Sequence, residues 1–66
     1  MKIETMKTKA KAFAADPQLY AGICAAITHG EQKLAEKALK GGKRAQEECR
    51  LFLDECDLNA ADVDMW

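Results

Sequence analysis

The sequence predicts an all-α fold: three to four short helices, a small helical bundle or hairpin, with a short acidic C-terminal tail. Three observations carry that expectation. The strong helix formers Ala, Lys, Glu, Leu and Gln dominate the chain. Only seven residues are β-branched (Ile3, Thr5, Thr8, Ile23, Ile27, Thr28 and Val63), and no four-residue stretch alternates in the strand pattern. Apolar residues instead recur at spacings of three and four, with breaks at Asp16-Pro17, at Gly30 and at Gly41-Gly42.

The first helix is marked by Ile3, Met6, Ala10 and Phe13, a stripe from which Lys2, Lys7, Lys9 and Lys11 are excluded. It has to stop at Asp16, because the residue before a proline is pushed out of the helical region. Asp16 then caps the second helix, with Pro17 at its first position. That helix runs to about Thr28, with Leu19, Tyr20, Ile23, Cys24 and Ile27 as its apolar face. Gly30 ends it, with His29 in the last turn. Thr28 and Glu31 have the spacing of a capping box, which would start the third helix immediately behind the second. Glu31 to Lys40 carries Leu34, Ala35, Ala38 and Leu39 on one face.

Two readings compete at Gly41-Gly42. Ala38, Gly42, Ala45, Cys49, Phe52 and Cys56 stay in heptad phase across the glycines, as one helix from Glu31 to Cys56 about 39 Å long would require. Against this, two glycines in a helix interior cost about 2 kcal/mol relative to alanine, and a turn is predicted. The last full helix is then Lys43 to Cys56, with Ala45, Cys49, Phe52, Leu53 and Cys56 inward and Leu51 exposed. Asn59 caps a short final turn through Ala60, Ala61 and Asp62.

Sixty-six residues form one small domain, residues 1–66, which buries only about 60% of its unfolded surface. Of the 32 apolar residues 12 are alanine and four are aromatic, so Phe13 and Phe52 are the expected core anchors. A core this thin, with Ile3, Met6 and Phe13 in need of cover, predicts self-association as a homodimer. The longest apolar run, Leu19 to Ile27, is too short to span a membrane. Cys24, Cys49 and Cys56 are odd in number and form no C-x-x-C spacing, which predicts reduced thiols in a cytoplasmic protein. A metal site would need Cys49 and Cys56 joined by Cys24 and His29, with no short-range ligand pair, so neither a metal nor a cofactor is expected.

Charge is divided along the chain. Residues 1–44 hold nine Lys or Arg against four carboxylates, a net +5; residues 45–66 hold Arg50 against seven carboxylates, a net −6. Such asymmetry bears on association and not on fold. Lys33, Lys37, Lys40 and Arg44 fall at i, i+4, i+7 and i+11, with Lys43 beside them, a basic ridge if the helix is continuous. Glu36 interrupts it, and it carries no side chains suited to reading base edges. At the other end Asp62 and Asp64 lead to Trp66, either a ring folded back on the helices or an acidic-aromatic hook for a basic, apolar groove on another protein.

Catalytic chemistry finds little support in the sequence. His29 lies five residues from Cys24, about 140° away around a helix, and Gly41-Gly42-Lys43-Arg44 lacks the first glycine and the hydroxyl of a P-loop. The carboxylates pair with neighbours on their own helix, as in Glu47–Arg50 and Arg50–Asp54. The expected function is therefore non-enzymatic: a small protein-binding module, an adaptor or inhibitor of a larger complex. Lys33, Lys37, Lys40, Lys43, Arg44, Asp62, Asp64 and Trp66 are its candidate partner-binding residues. Phage and other mobile-element accessory proteins are a precedent by size alone. The alternative is a nucleic-acid-binding accessory or regulatory protein that uses the basic ridge.

Overall fold

Four α-helices, joined by short turns, account for the regular structure of the described residues. The computed structural model of the chain describes residues 2–59 and Val63. Helix α1 is Ile3–Ala10 and continues into a 3-10 turn at Lys11–Phe13; α2 is Pro17–Thr28, α3 is Gln32–Leu39 and α4 is Lys43–Glu55. No helix among these residues is long and apolar enough to cross a membrane. The final turn expected after Asn59, and Asp62, Asp64 and Trp66 with it, lie outside the described residues.

The boundaries follow from local backbone chemistry. Asp16 accepts the Leu19 N–H at 3.3 Å, the expected N-cap, and Pro17 opens α2. Gly30 and Gly41 take φ of +87° and +94°, the left-handed region that stops a helix without a Cβ penalty. At each, the next residue's N–H reaches back to a carbonyl five residues earlier: Glu31 to Ala26 at 2.7 Å, Gly42 to Lys37 at 3.1 Å. Asp57 plays the same part at φ +55°, with the Leu58 N–H on the Leu53 carbonyl at 2.7 Å. All three are Schellman motifs, in which the turn satisfies carbonyls that the helix end would leave open.

The turn at Gly41 excludes the continuous helix. A rod of about 39 Å would exceed the molecule's longest dimension, 26 Å. The Gln46 side chain fastens the resulting α3–α4 hairpin by donating to the Ala38 carbonyl at 3.1 Å. The capping box between Thr28 and Glu31 does not form. The Thr28 hydroxyl donates back to the Cys24 carbonyl at 2.8 Å, and Glu31 flanks α3 without a side-chain cap. The reason is the Schellman turn, which commits the Glu31 N–H to α2 and keeps Thr28 in its last turn.

Helix α2 is the centre of the fold. It packs against α1, α3 and α4, and every residue from Leu19 to Ile27 is buried, so it is covered all round and not on one face alone. The closest approach is at Gly22. A Cβ there would stand inside van der Waals contact of the Cys49 carbonyl oxygen and 2.6 Å from the carbonyl carbon. Backbone thus lies on backbone where α4 crosses α2.

The core is built from Met6, Ile23, Cys24, Cys49, Leu53 and a series of alanines, with Phe52 only 8% exposed. Two expectations need correction. Phe13 is only half-buried, because it lies in the 3-10 turn beyond α1, and Ile3 is 44% exposed because only the middle and end of the short α1, at Met6 and Ala10, reach the core. Met6 is covered within the chain, which removes one of the three side chains that argue for self-association. Leu51 is exposed, as predicted.

Arg50 does not serve its own helix. Its guanidinium pairs with the Asp16 carboxylate, tying α4 to the α1–α2 junction across 34 residues of sequence. This joins the minority charge of each part of the chain, so the positive excess of residues 1–44 is not spent on it. The Arg50 hydrogen bond, followed by the one from the Leu19 N–H, holds the Asp16 carboxyl below its ordinary value.

Two outcomes test this packing. Gly22→Ala should lower stability by about 1–3 kcal/mol in thermal melts, although alanine is the better helix former; a raised melting temperature would contradict the backbone contact. Because the Asp16 pKa is lower folded than unfolded, its contribution is complete above the unfolded value and is lost as pH falls through the folded one. Asp16→Asn should accordingly lose stability near neutral pH and show a shallower acid-side decline in melting temperature than the unaltered chain.

Candidate functional site

Folding the chain back at Gly41 brings the basic residues together by a route other than a straight ridge. Lys33, Lys37 and Lys40 fall at i, i+4 and i+7 along one side of α3. Lys43 and Arg44 open α4, which returns antiparallel beside them. Between the two helices lies an open hollow of about 710 Å³, and all five cations line it. The same five side chains on a continuous helix would have been strung over about 17 Å.

The hollow has an apolar floor and a graded rim. Leu34, half-buried, and Ala45, buried, provide the apolar surface, and Gly42 adds bare backbone at the turn. Glu31 and Glu48 also line it. In an antiparallel hairpin they belong to the end away from the turn, whereas Lys40, Lys43 and Arg44 stand at the turn. Lys40 pairs with Glu36 at 3.3 Å, and this contact holds the Glu36 carboxyl below its ordinary value. The lysine side chain is nonetheless 63% exposed, and an exposed i,i+4 pair of this kind exchanges partners at little cost.

Sequence reasoning identified the five cations but not the surface between them. The sequence pattern puts Leu34 on the core face of its helix and gives Glu31 and Glu48 no site. The available signal was the turn itself: once Gly41 is left-handed, α3 and α4 are neighbours, and residues equally distant from the turn face each other. Asp62, Asp64 and Trp66, the remaining candidates, lie outside the described residues.

The thiols differ in burial, and the imidazole is exposed. All three cysteines are thiols, with Cys24 and Cys49 buried and Cys56 half-buried. Burial, and secondarily the neighbouring Glu48 carboxylate, push the Cys49 thiol up to about 11, so it is protonated at neutral pH and a poor nucleophile. His29 lies against the Phe52 ring, centroids 6.1 Å apart and planes tilted by 57°, an aromatic contact that the sequence did not suggest. Among the described residues no group of three or more His, Cys, Asp or Glu is placed to hold a metal ion.

No protein-family model matches this chain, and neither a curated protein nor a solved structure matches it.

Exposure and thiolate character set the order of cysteine reactivity. Under native conditions iodoacetamide should modify Cys56 first, with Cys24 and Cys49 reacting only after denaturation. Equal rates at all three sites, followed by peptide mass spectrometry, would contradict the packing of α2 on α4.

Proposed function

We propose that this chain is a non-enzymatic protein-binding module, an adaptor or inhibitor of a larger assembly, that receives an acidic, partly apolar segment of another protein between α3 and α4. The observation that carries this reading is the convergence of Lys33, Lys37, Lys40, Lys43 and Arg44 around a floor containing Leu34 and Ala45. Cations around an apolar strip complement an amphipathic helix that mixes carboxylates with leucine-like side chains, one of the recurring modes of peptide recognition. The buried, protonated Cys49 thiol supports a role without nucleophilic chemistry at that residue. The odd number of cysteines and the absence of any C-x-x-C spacing support a reducing, cytoplasmic setting.

The same convergence of cations favours nucleic acid as the second reading. Glu31 and Glu48 weigh against it, because they place two carboxylates where a phosphate backbone would have to run. They are acceptable to a protein ligand, whose own lysine or arginine could answer them.

Binding of a synthetic Glu/Leu amphipathic helix, compared with unrelated duplex DNA at several salt concentrations, separates the readings. The peptide should bind, and Lys37→Glu with Arg44→Glu should weaken it by about tenfold or more. Duplex DNA should show no appreciable affinity. DNA binding that falls steeply with salt, with no peptide binding, would overturn the protein-binding reading in favour of the alternative.

A further inference from the structure

The α3–α4 face of the molecule carries its own complement. We propose that this face is a two-fold dimer interface, in which the basic turn end of the groove on one copy receives the acidic, leucine-bearing end of the same face on a second copy. The proposal rests on the reading of the groove as an acceptor of acidic, apolar helix surface, and it makes a second copy the competitor of any other ligand.

Helix register defines the face. Arg44 and Glu48 line the groove, and Leu51 and Glu55 follow them at i+7 and i+11 from Arg44, so the four share one side of α4. All four are exposed, Leu51 by 51%. Glu31, beside the start of α3, stands as far along the sequence from Gly41 as Leu51 does. The end of the hairpin away from the turn therefore combines Glu31, Glu48, Leu51 and Glu55. The turn end combines Lys37, Lys40, Lys43 and Arg44 with the small, buried Ala45 among them. An apolar knob flanked by carboxylates thus sits on the same helix pair as an apolar hollow rimmed by cations.

Such a face closes on itself when two copies meet antiparallel. With the axis near Leu34 and Glu48, the register sends Leu51 of each copy over Ala45 of the other, between the stems of Lys37 and Arg44. Glu31 and Glu55 then approach the cations at the opposite turn. Lys33, which stands among the carboxylates of the far end, comes beside Glu48 of the other copy near the axis. Parallel placement would set cation on cation and carboxylate on carboxylate, so charge selects the antiparallel one. Among the described residues Lys37, Lys43 and Arg44 form no ion pair that the contact would have to break. A molecule of 26 × 23 × 23 Å offers on one face less than the roughly 800 Å² per partner of a standard interface. The dimer is therefore weak and yields to a better acidic ligand. Self-association runs through Leu51 and not through the Ile3 and Phe13 stripe of α1.

Sedimentation equilibrium of the full chain tests the interface. The mass should rise from 7.3 kDa at micromolar concentration toward twice that at millimolar, and no further, because a two-fold contact is closed. Lys37→Glu with Arg44→Glu reverses the basic end, and Glu31→Lys with Glu55→Lys reverses the acidic end. Each variant alone should stay monomeric over that range, with the helix content of the unaltered chain by circular dichroism. Mixed in equal amounts they should dimerise again, since each end then meets its opposite. Leu51→Lys should weaken dimerisation about tenfold or more, also without loss of helix. A monomer at every concentration overturns the proposal, as does growth beyond two copies. Reversed variants that dimerise singly as the unaltered chain does overturn it too, as does an equimolar mixture that stays monomeric. The Glu/Leu helix separates this proposal from the groove reading: if the unaltered chain stays monomeric and binds the helix, the dimer alone fails, and if it does neither, the groove reading fails with it.

Discussion

Gly22 has no side chain, and the space this leaves is filled by the Cys49 carbonyl of α4. A contact of this kind does more than bury area. It fixes the distance and the crossing point of two helices, because neither backbone can relax as a side chain would. The residues around it are consistent with close approach: Ala21, Ala25 and Ala26 on α2, and Ala45 and Cys49 on α4, are all buried and all small. With α4 seated on α2, the turn at Gly41 carries α3 to the flank, and the α3–α4 seam faces outward as the basic groove. The large side chains fill around this crossing, with Met6, Ile23, Leu53 and Phe52 among the buried ones.

The helix ends were legible because they depend on local rules. Asp16-Pro17 and the left-handed positions at Gly30 and Gly41 work through backbone geometry that no distant contact has to supply. Asp57 shows the limit of that approach: an aspartate in the same left-handed turn carries no glycine to announce it. Tertiary features were harder. A helical wheel finds the Leu19, Tyr20, Ile23, Cys24 and Ile27 face of α2, yet the informative fact was the uncharged run from Leu19 to Ile27, which belongs to a helix surrounded by others. The Thr28–Glu31 capping box matched a motif but lost its Glu31 N–H to the preceding helix. Arg50 had acidic neighbours on its own helix and took a partner 34 residues away. Heptad phase across Gly41-Gly42 carried no information about continuity, since two helices facing one core through a tight turn preserve it equally well.

The candidate site was legible by residue and not by shape. Lys33, Lys37, Lys40, Lys43 and Arg44 were identifiable as a group from spacing alone, but their chemistry depends on the break between them. Along a rod they would track a line of phosphates. Around a hairpin they enclose Leu34 and Ala45 and admit Glu31 and Glu48 to the rim, a mixed surface better matched to a folded polypeptide. That change of surface, from a line of cations to a hollow between two helices, follows from the left-handed turn at Gly41.

The crossing at Gly22 is therefore the point on which the account should be tried. In a nuclear Overhauser spectrum of the isotope-labelled protein, the Gly22 α-protons should give cross-peaks to the Arg50 amide proton, whose nitrogen lies 3.3 Å from the position a Gly22 Cβ would take. Those cross-peaks place α4 on the backbone of α2 and, through the Gly41 turn, the groove where it is described. Their absence in a folded sample, with Gly22 showing contacts to side chains of α1 or α3 instead, would mean that α4 packs elsewhere and that the basic residues do not share one surface.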